Sequence, residues 1–460
     1  MNKISLGRKL GYGVGAVGLD LSYGMFYSYL SIYLTDALGI SPLFLLILTP
    51  LARIWDGVND PMMGMIVDKT KTKMGKYRPW ILIGTLLNAV VLCLLFNAPD
   101  LPSNSAKLLV YAGILYVFWG MTNTLADIPF WSMVPSFATE EKDRNLVSTI
   151  ARAFSGIGQG IISIFTPIAV AYFGGVAGSK LDAMTPAALR TGFGKWSTVT
   201  AVGLLFFALV CVASTKEKNV AASKEKFSFK AALSVIRQND QLLIFMLFAM
   251  ISNAGFYMTS GISGYYFKSV LGDITLQSKF NLMGTIGSVL AILVVPVCSR
   301  FMNNRSIYKL SLSMAAVGYV GMAFMGYCFE GNVTALGLFY ILTSLGTGSM
   351  FVNQTVMLAD VVDYGEYKLG QRNQALTFSM KGFLQKMAYT MQAIIMYATF
   401  SVTGYDGLAE VHTATAKSAI SFLMFIVPPV MIVVSLIIFS KKYKIYGDFK
   451  QEVLRAVSEK

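Results

Sequence analysis

The feature that most constrains this chain is a recurrence. Apolar stretches of about 20 residues, each long enough to cross a bilayer at about 1.5 Å per residue, return twelve times along its 460 residues. They run approximately Leu10–Leu34, Pro42–Val67, Pro79–Asn97, Leu108–Met133, Thr149–Phe173, Phe193–Ala213, Leu242–Phe267, Phe280–Cys298, Ile307–Cys328, Thr334–Met357, Ala375–Val402 and Ala416–Phe439. In lipid the backbone must satisfy its own polar groups, so windows of this length are expected to be helices. Charged residues make up only 13% of the chain, where an ordinary soluble domain carries about 25%. The expectation is an all-α membrane protein of twelve transmembrane helices in two six-helix bundles.

The net charge of +14 raises nucleic acid as a partner, but the bases form no continuous stripe. They gather in the two tails and in alternate connectors: Lys69–Arg78, Lys216–Arg237, Arg300–Arg305 and Lys441–Lys450. That is the positive-inside bias; with an even span count it places both termini in the cytoplasm. The basic start (Lys3, Arg8, Lys9) has no cleavage site after a short apolar run, so the first helix is expected to be retained. The longest connector divides the chain into residues 1–214, a cytoplasmic loop 215–241, a second bundle 242–440 and a cytoplasmic tail 441–460. Within the loop, Phe229, Leu233 and Ile236 suggest a short surface helix, with a plain linker nearly as good a reading. Cys93, Cys211, Cys298 and Cys328 lack CxxC spacing and read as small buried hydrophobes. His412 is the sole histidine, and no metal cluster is expected around it. No GxxxxGKS/T loop and no nucleophile–base set is present, so neither an enzyme nor a cofactor is implied.

Charges inside the spans are where chemistry is expected. A charge at mid-membrane costs roughly 2.5–3.5 kcal/mol, so it must face the protein interior and find partners. Arg53, Asp56 and Asp60 fall at i, i+3 and i+7 of the second span, on one helical face. Two carboxylates against one guanidinium leave room for a cation; a purely architectural ion-pair cluster is the alternative. In the first span Asp20, Tyr23, Gly24 and Tyr27 share a face, and Gly11, Gly15 and Gly18 offer a smooth contact surface. In the fourth, Asn123, Thr124, Asp127 and Trp131 share a face. Carboxylate, amide and hydroxyl groups bond sugar hydroxyls, and an indole covers the C–H side of a pyranose; a structural aspartate tying helices together is the plainer reading. Arg152 joins from the fifth span, placed to bridge Asp20 and Asp127. Lys386 and Lys381 lie in the eleventh. Asp360, Asp363 and Glu366 read as a dense charged turn acting as a gate or brace.

The pattern Gly64-xxx-Asp68 followed by Gly75-Lys76-Tyr77-Arg78 resembles the loop between helices 2 and 3 of major facilitator superfamily transporters. There Gly64 would allow close helix approach, and Asp68 would cap a helix or pair with a base. The stretches RIWDGVNDPMMG, GKYRPWILIGT, WGMTNTLADIPFWSMVP and DVVDYGEYK resemble the glycoside–pentoside–hexuronide:cation symporters, most closely the members that carry melibiose. The resemblance covers nearly the whole chain. It implies a major facilitator fold in a bacterial inner membrane, a chain working as a monomer, and symport of a sugar with Na⁺, Li⁺ or H⁺ by alternating access. It further implies a cation site at Asp56, Asn59, Asp60 and Thr124, with sodium held at Asp56 and Asp60. Sugar contacts are implied at Asp20, Asp127, Trp131, Arg152 and Lys386, and a transport role for Arg53. Tyr23 and Asn123 line the same expected pocket, while Asp68, Arg78, Asp363, Glu366 and Lys381 belong to the wider charge network. Two departures fall on the rim of the sugar pocket: Leu19 stands where those members have lysine, and Asn123 where they have tyrosine. A uronate needs a spare base. With Arg152 engaged by two aspartates and Lys381 snorkelling near the end of its helix, a neutral galactoside-type di- or oligosaccharide is expected. A hexuronide or pentoside carrier is the first alternative, a lipid transporter or exporter of the superfamily a more distant one.

Overall fold

The computed structural model describes residues 4–138, 140–176, 185–217, 237–370, 374–409 and 411–458. Its regular structure, among the described residues, is helical. A helical stretch falls at each of the twelve expected spans: α1 (Leu6–Gly24, continued to Ala37), α2 (Pro42–Lys69), α3 (Arg78–Phe96), α4 (Ala106–Ser132), α5 (Glu141–Phe173), α6 (Pro186–Ser214), α7 (Asp240–Tyr265, continued to Val270), α8 (Leu276–Cys298), α9 (Asn304–Cys328), α10 (Val333–Leu369), α11 (Gln374–Thr403) and α12 (Ala414–Phe425 with Val427–Lys442). Among the described residues nine helices are long and apolar enough to cross a membrane. The other three are α1, broken into short pieces, and α2 and α11, which carry charges in mid-span. Starts are set by local chemistry. Side chains of Ser41, Ser105, Thr185, Asn239, Asn303 and Asn332 each accept a first-turn N–H, satisfying donors that have no intrahelical partner.

Helix pairing follows one plan in both halves. α1 packs on α6, α3 on α4 and α3 on α6; correspondingly, α7 packs on α12, α9 on α10 and α9 on α12. The C-terminal ends of α1 and α7 also match. Tyr33–Ala37 and Tyr266–Val270 are each a five-residue π turn, closed by Leu38 N–H to Tyr33 O and Leu271 N–H to Tyr266 O. Each is followed by a left-handed glycine, Gly39 (φ 67°) and Gly272 (φ 76°), a conformation that favours a residue without Cβ. The chain forms two compact units that divide between Lys224 and Glu225, inside the expected 215–241 loop. The segments Gly272–Ser278 and Tyr397–Thr413, expected in the second half, group with the first.

Several expectations change. Asp360, Asp363 and Glu366 lie in helix, because α10 continues to Leu369 and stops at Gly370 in the left-handed region. Tertiary support explains this extra length. The tail forms a further helix, α13 (Gly447–Ser458), whose Lys450 pairs with Asp360 at 2.6 Å and whose Glu452 accepts from the Tyr367 hydroxyl. Lys368 pairs with Asp240 at the start of α7. Of the cysteines, only Cys211 is buried and Cys328 is exposed. The surface helix expected at Phe229, Leu233 and Ile236 lies outside the described residues, as does the side chain of Asp68.

Among the described residues nothing lies within 4 Å of where a Cβ on Gly64 would sit, so no close helix approach is seen there. The tight glycine of that loop is Gly75 (φ 107°), where a Cβ would lie 2.6 Å from the Glu217 carboxyl. Glu217 accepts from the backbone N–H groups of Lys76, Tyr77 and Arg78 at 2.6–3.2 Å. The Arg78 guanidinium donates in turn to Val212 O of α6. An acid at the head of the central connector thereby ties that connector to the turn between α2 and α3.

Candidate functional site

Most of the candidate residues lie in the first unit, where α4 is common to two groups of contacts. The first group involves α2. Its Arg53 and Asp56, one turn apart and both buried, form an ion pair at 2.6 Å. Arg53 also donates to the Tyr27 hydroxyl of α1 at 2.9 Å. A guanidinium can serve a carboxylate and a phenol together because its donors are fixed in a planar fork. Asp56 Oδ2 takes the arginine, while Oδ1 turns toward α4, 3.1 Å from where a Cβ on Gly120 would lie. One turn along each helix, the Thr124 hydroxyl donates to Asp60 Oδ1 at 2.9 Å. Asn59 is buried between the two acids in sequence, and among the described residues its Nδ2 has no hydrogen-bond partner. Carboxylate, hydroxyl and amide oxygens are the donors that hard cations take. Among the described residues no group of three or more His, Cys, Asp or Glu side chains is placed to hold a metal ion.

Further along the same face of α4, Trp131 Nε1 donates to Asp127 Oδ1 at 3.0 Å, the i,i+4 contact that a shared face permits. Arg152 of α5 lies over the Trp131 ring, 4.0 Å from its centroid. The expected bridge from Arg152 to Asp20 and Asp127 is not made: among the described residues Arg152 forms no ion pair. Its guanidinium spends itself on the indole face, a contact worth about 0.5–2 kcal/mol. Asp20 instead accepts from the Ser155 hydroxyl at 2.6 Å. The two helices meet there because Gly158 presents no side chain; a Cβ on it would sit 2.6 Å from Val17 O and 3.0 Å from Asp20 Cβ. Asn123 is buried, and Tyr23 stacks on Tyr27 at 4.8 Å.

Lys386 and Lys381 belong to α11 of the second unit, where Lys381 donates to Thr355 at 2.5 Å. Asp363 and Glu366 are half-buried in the last turns of α10. Sequence reasoning missed Ser155, although it lies one turn from Arg152. It also missed the acceptor role of Tyr27 and the polar contacts of Ser22, Asn88 and Trp119, which are far apart in the chain.

Residues 11–446 match the MFS/sugar transport protein family. The chain belongs to this family. It is of the glycoside–pentoside–hexuronide symporter type, a membrane transporter rather than an enzyme. Relatives of this sugar transporter include a lactose permease of Lactobacillus delbrueckii subsp. bulgaricus, 27% identical over 98% of this chain and 72% of that one. Another is the isoprimeverose transporter of Lactiplantibacillus pentosus, 28% identical over 93% of this chain and 86% of that one. Among solved structures, the nucleoside transporter NupG superposes with a TM-score of 0.69 at 12% identity, covering 95% of this chain and 100% of that one. That likeness speaks for the major facilitator fold alone.

Proposed function

We propose that this sugar transporter is a symporter that couples Na⁺, Li⁺ or H⁺ to a neutral glycoside, a galactoside-type di- or oligosaccharide, by alternating access. Both termini face the cytoplasm of a bacterial inner membrane, and the chain works as a monomer. The cation is held by Asp56, Asn59, Asp60 and Thr124. The sugar is held by Asp20, Tyr23, Asn123, Asp127, Trp131 and Arg152. The observation that carries the reading is the double use of one stretch of α4: Thr124 bonds an α2 carboxylate, and a turn or two on Asp127 holds Trp131, over which Arg152 of α5 lies. One helix then touches both cargoes, so occupancy of one site changes affinity at the other, and the linkage is reciprocal. The relatives' names, lactose permease and isoprimeverose transporter, support a neutral disaccharide. The test is accumulation of a panel of labelled sugars in vesicles with and without imposed sodium, lithium and proton gradients. Disaccharide uptake that rises with one of these gradients is expected; uptake indifferent to all three would contradict the coupling.

A second reading has its own observation. Arg152 lies over the Trp131 ring and makes no direct ion pair with Asp20 or Asp127, so its guanidinium can receive the carboxylate of a hexuronide. Asp20 and Asp127 oppose this, since like charges about 4–6 Å apart repel by several kcal/mol at an effective dielectric near 20. Competition decides: galactosides should displace bound labelled lactose and glucuronides should not. Displacement by glucuronide that is lost in Arg152→Gln would establish the uronate instead.

A further inference from the structure

Behind the two candidate sites lies a buried polar network whose side chains come from three helices and which the transport reading leaves unused. Ser22 of α1, Asn88 of α3, and Trp119 and Thr122 of α4 are 1%, 2%, 1% and 7% exposed. Their protons can all be accounted for. Trp119 Nε1 donates to Ser22 Oγ at 3.1 Å, and an indole N–H can only donate. Ser22 therefore turns its own proton to Asn88 Oδ1 at 2.5 Å. That fixes the amide orientation, and Asn88 Nδ2 donates to Trp119 O at 3.3 Å and Thr122 Oγ1 at 3.1 Å. Thr122 closes the set by donating to Phe118 O at 2.9 Å. In apolar surroundings a network with every member satisfied admits one arrangement and resists others.

The arrangement fixes the Trp119 ring, and the ring touches what leads to both sites. It stacks on Phe26 at 3.6 Å and 8°, and meets the edges of Tyr23 and Tyr27 at 5.8 and 5.7 Å. Tyr27 carries the hydroxyl that receives Arg53, the partner of Asp56. Tyr23 lies one turn from Asp20 on α1. The residue after Trp119 is Gly120, against which Asp56 Oδ1 rests. The turn 119–122 of α4 thus meets the cation side through Tyr27 and Gly120 and the sugar side through Tyr23. Asn88 and Ser22 pin that turn in place.

We infer that the Ser22–Asn88–Trp119 hydrogen-bond relay is the positioning element that transmits cation occupancy to sugar affinity. Asn88 touches neither cargo; it acts through Trp119. The inference rests on the coupled-symport reading. It places the communication in this relay, beyond the ligand-contacting residues themselves.

The test is the factor by which saturating sodium raises the affinity of purified protein for 4-nitrophenyl α-galactoside. Trp119→Phe keeps an aromatic ring and removes the N–H; Ser22→Ala removes its acceptor. Each should lower the factor about three- to tenfold, the range of one net hydrogen bond. The double variant should lose no more than the larger single loss, because both break the same link. Ser22→Thr, which keeps the hydroxyl, should retain the parental factor, which a general packing defect would not predict. Asn88→Ala leaves buried groups unpaired and can fail to fold, so the other variants carry the test. Folded Trp119→Phe and Ser22→Ala proteins with the parental factor would overturn the relay alone. A parent that binds no galactoside, or binds it indifferently to sodium, would overturn coupled galactoside symport and the relay with it.

Discussion

The ends of α1 and α7 share a backbone and differ in chemistry. Both are five-residue π turns followed by a left-handed glycine. In the first, Asp36 is fully buried and accepts from the Thr35 hydroxyl at 2.7 Å and from the Tyr405 hydroxyl at 2.9–3.0 Å. Its counterpart in the second is Ser269, whose buried hydroxyl has no hydrogen-bond partner among the described residues. The contrast runs through the two halves. Asp20, Asp56, Asp60 and Asp127 sit well inside α1, α2 and α4, whereas the carboxylates of α7–α12 lie only in the first turn of α7 and the last three turns of α10. The lesson is that one helical plan, repeated, supplies the scaffold. The acid chemistry that could hold a cation and a sugar is carried by one copy.

The strongest way to break that comparison is to neutralise the acids of the first half. Asp60→Asn and Asp56→Asn should each abolish sodium stimulation of sugar uptake while the protein still inserts, measured by accumulation in vesicles. Full stimulation in both variants would move the cation elsewhere. Next in size, Asp127→Ala removes one side of a half-buried charged hydrogen bond and should weaken galactoside binding about tenfold or more, read by titration of purified protein. Making the two π turns alike gives a smaller effect. Asp36→Ser copies the α7 end, removes the carboxylate that accepts from the Tyr405 hydroxyl and should cost about 1–3 kcal/mol of stability, seen as a lower melting temperature in detergent. The reverse arm, Ser269→Ala, deletes a hydroxyl that gains nothing from burial. It should be neutral or stabilising by no more than about 1 kcal/mol, and a clear loss of stability there would show that Ser269 has a partner after all.

The membrane spans and the α2 cluster were legible in the sequence because charge in a long apolar run stands out and its 3-4 spacing defines a face. Thr124 was assigned with the α2 acids, and its bond to Asp60 fits. Arg152 was misread because a carboxylate and an indole face are both good partners for a guanidinium, and only the placement of α5, which packs on α1 and α6, chooses between them. The end of α10 was misread as a turn because Asp, Gly and Lys are turn residues, yet α13 and α7 supply ion pairs that sustain the helix. The relay was invisible for a simpler reason. Ser22 and Asn88 are 66 residues apart, Asn88 and Trp119 31, and nothing local links them.

The central claim, that acids confined to the first half bind the driving cation and thereby set sugar affinity, is tested most directly by measuring one quantity in one protein. Titration of purified protein with labelled lactose, with sodium absent and then saturating, should show affinity rising with sodium in the parent and staying at its sodium-free value in Asp60→Asn. Affinity that ignores sodium, lithium and pH in the parent, or that still rises with sodium in both Asp56→Asn and Asp60→Asn, would contradict it.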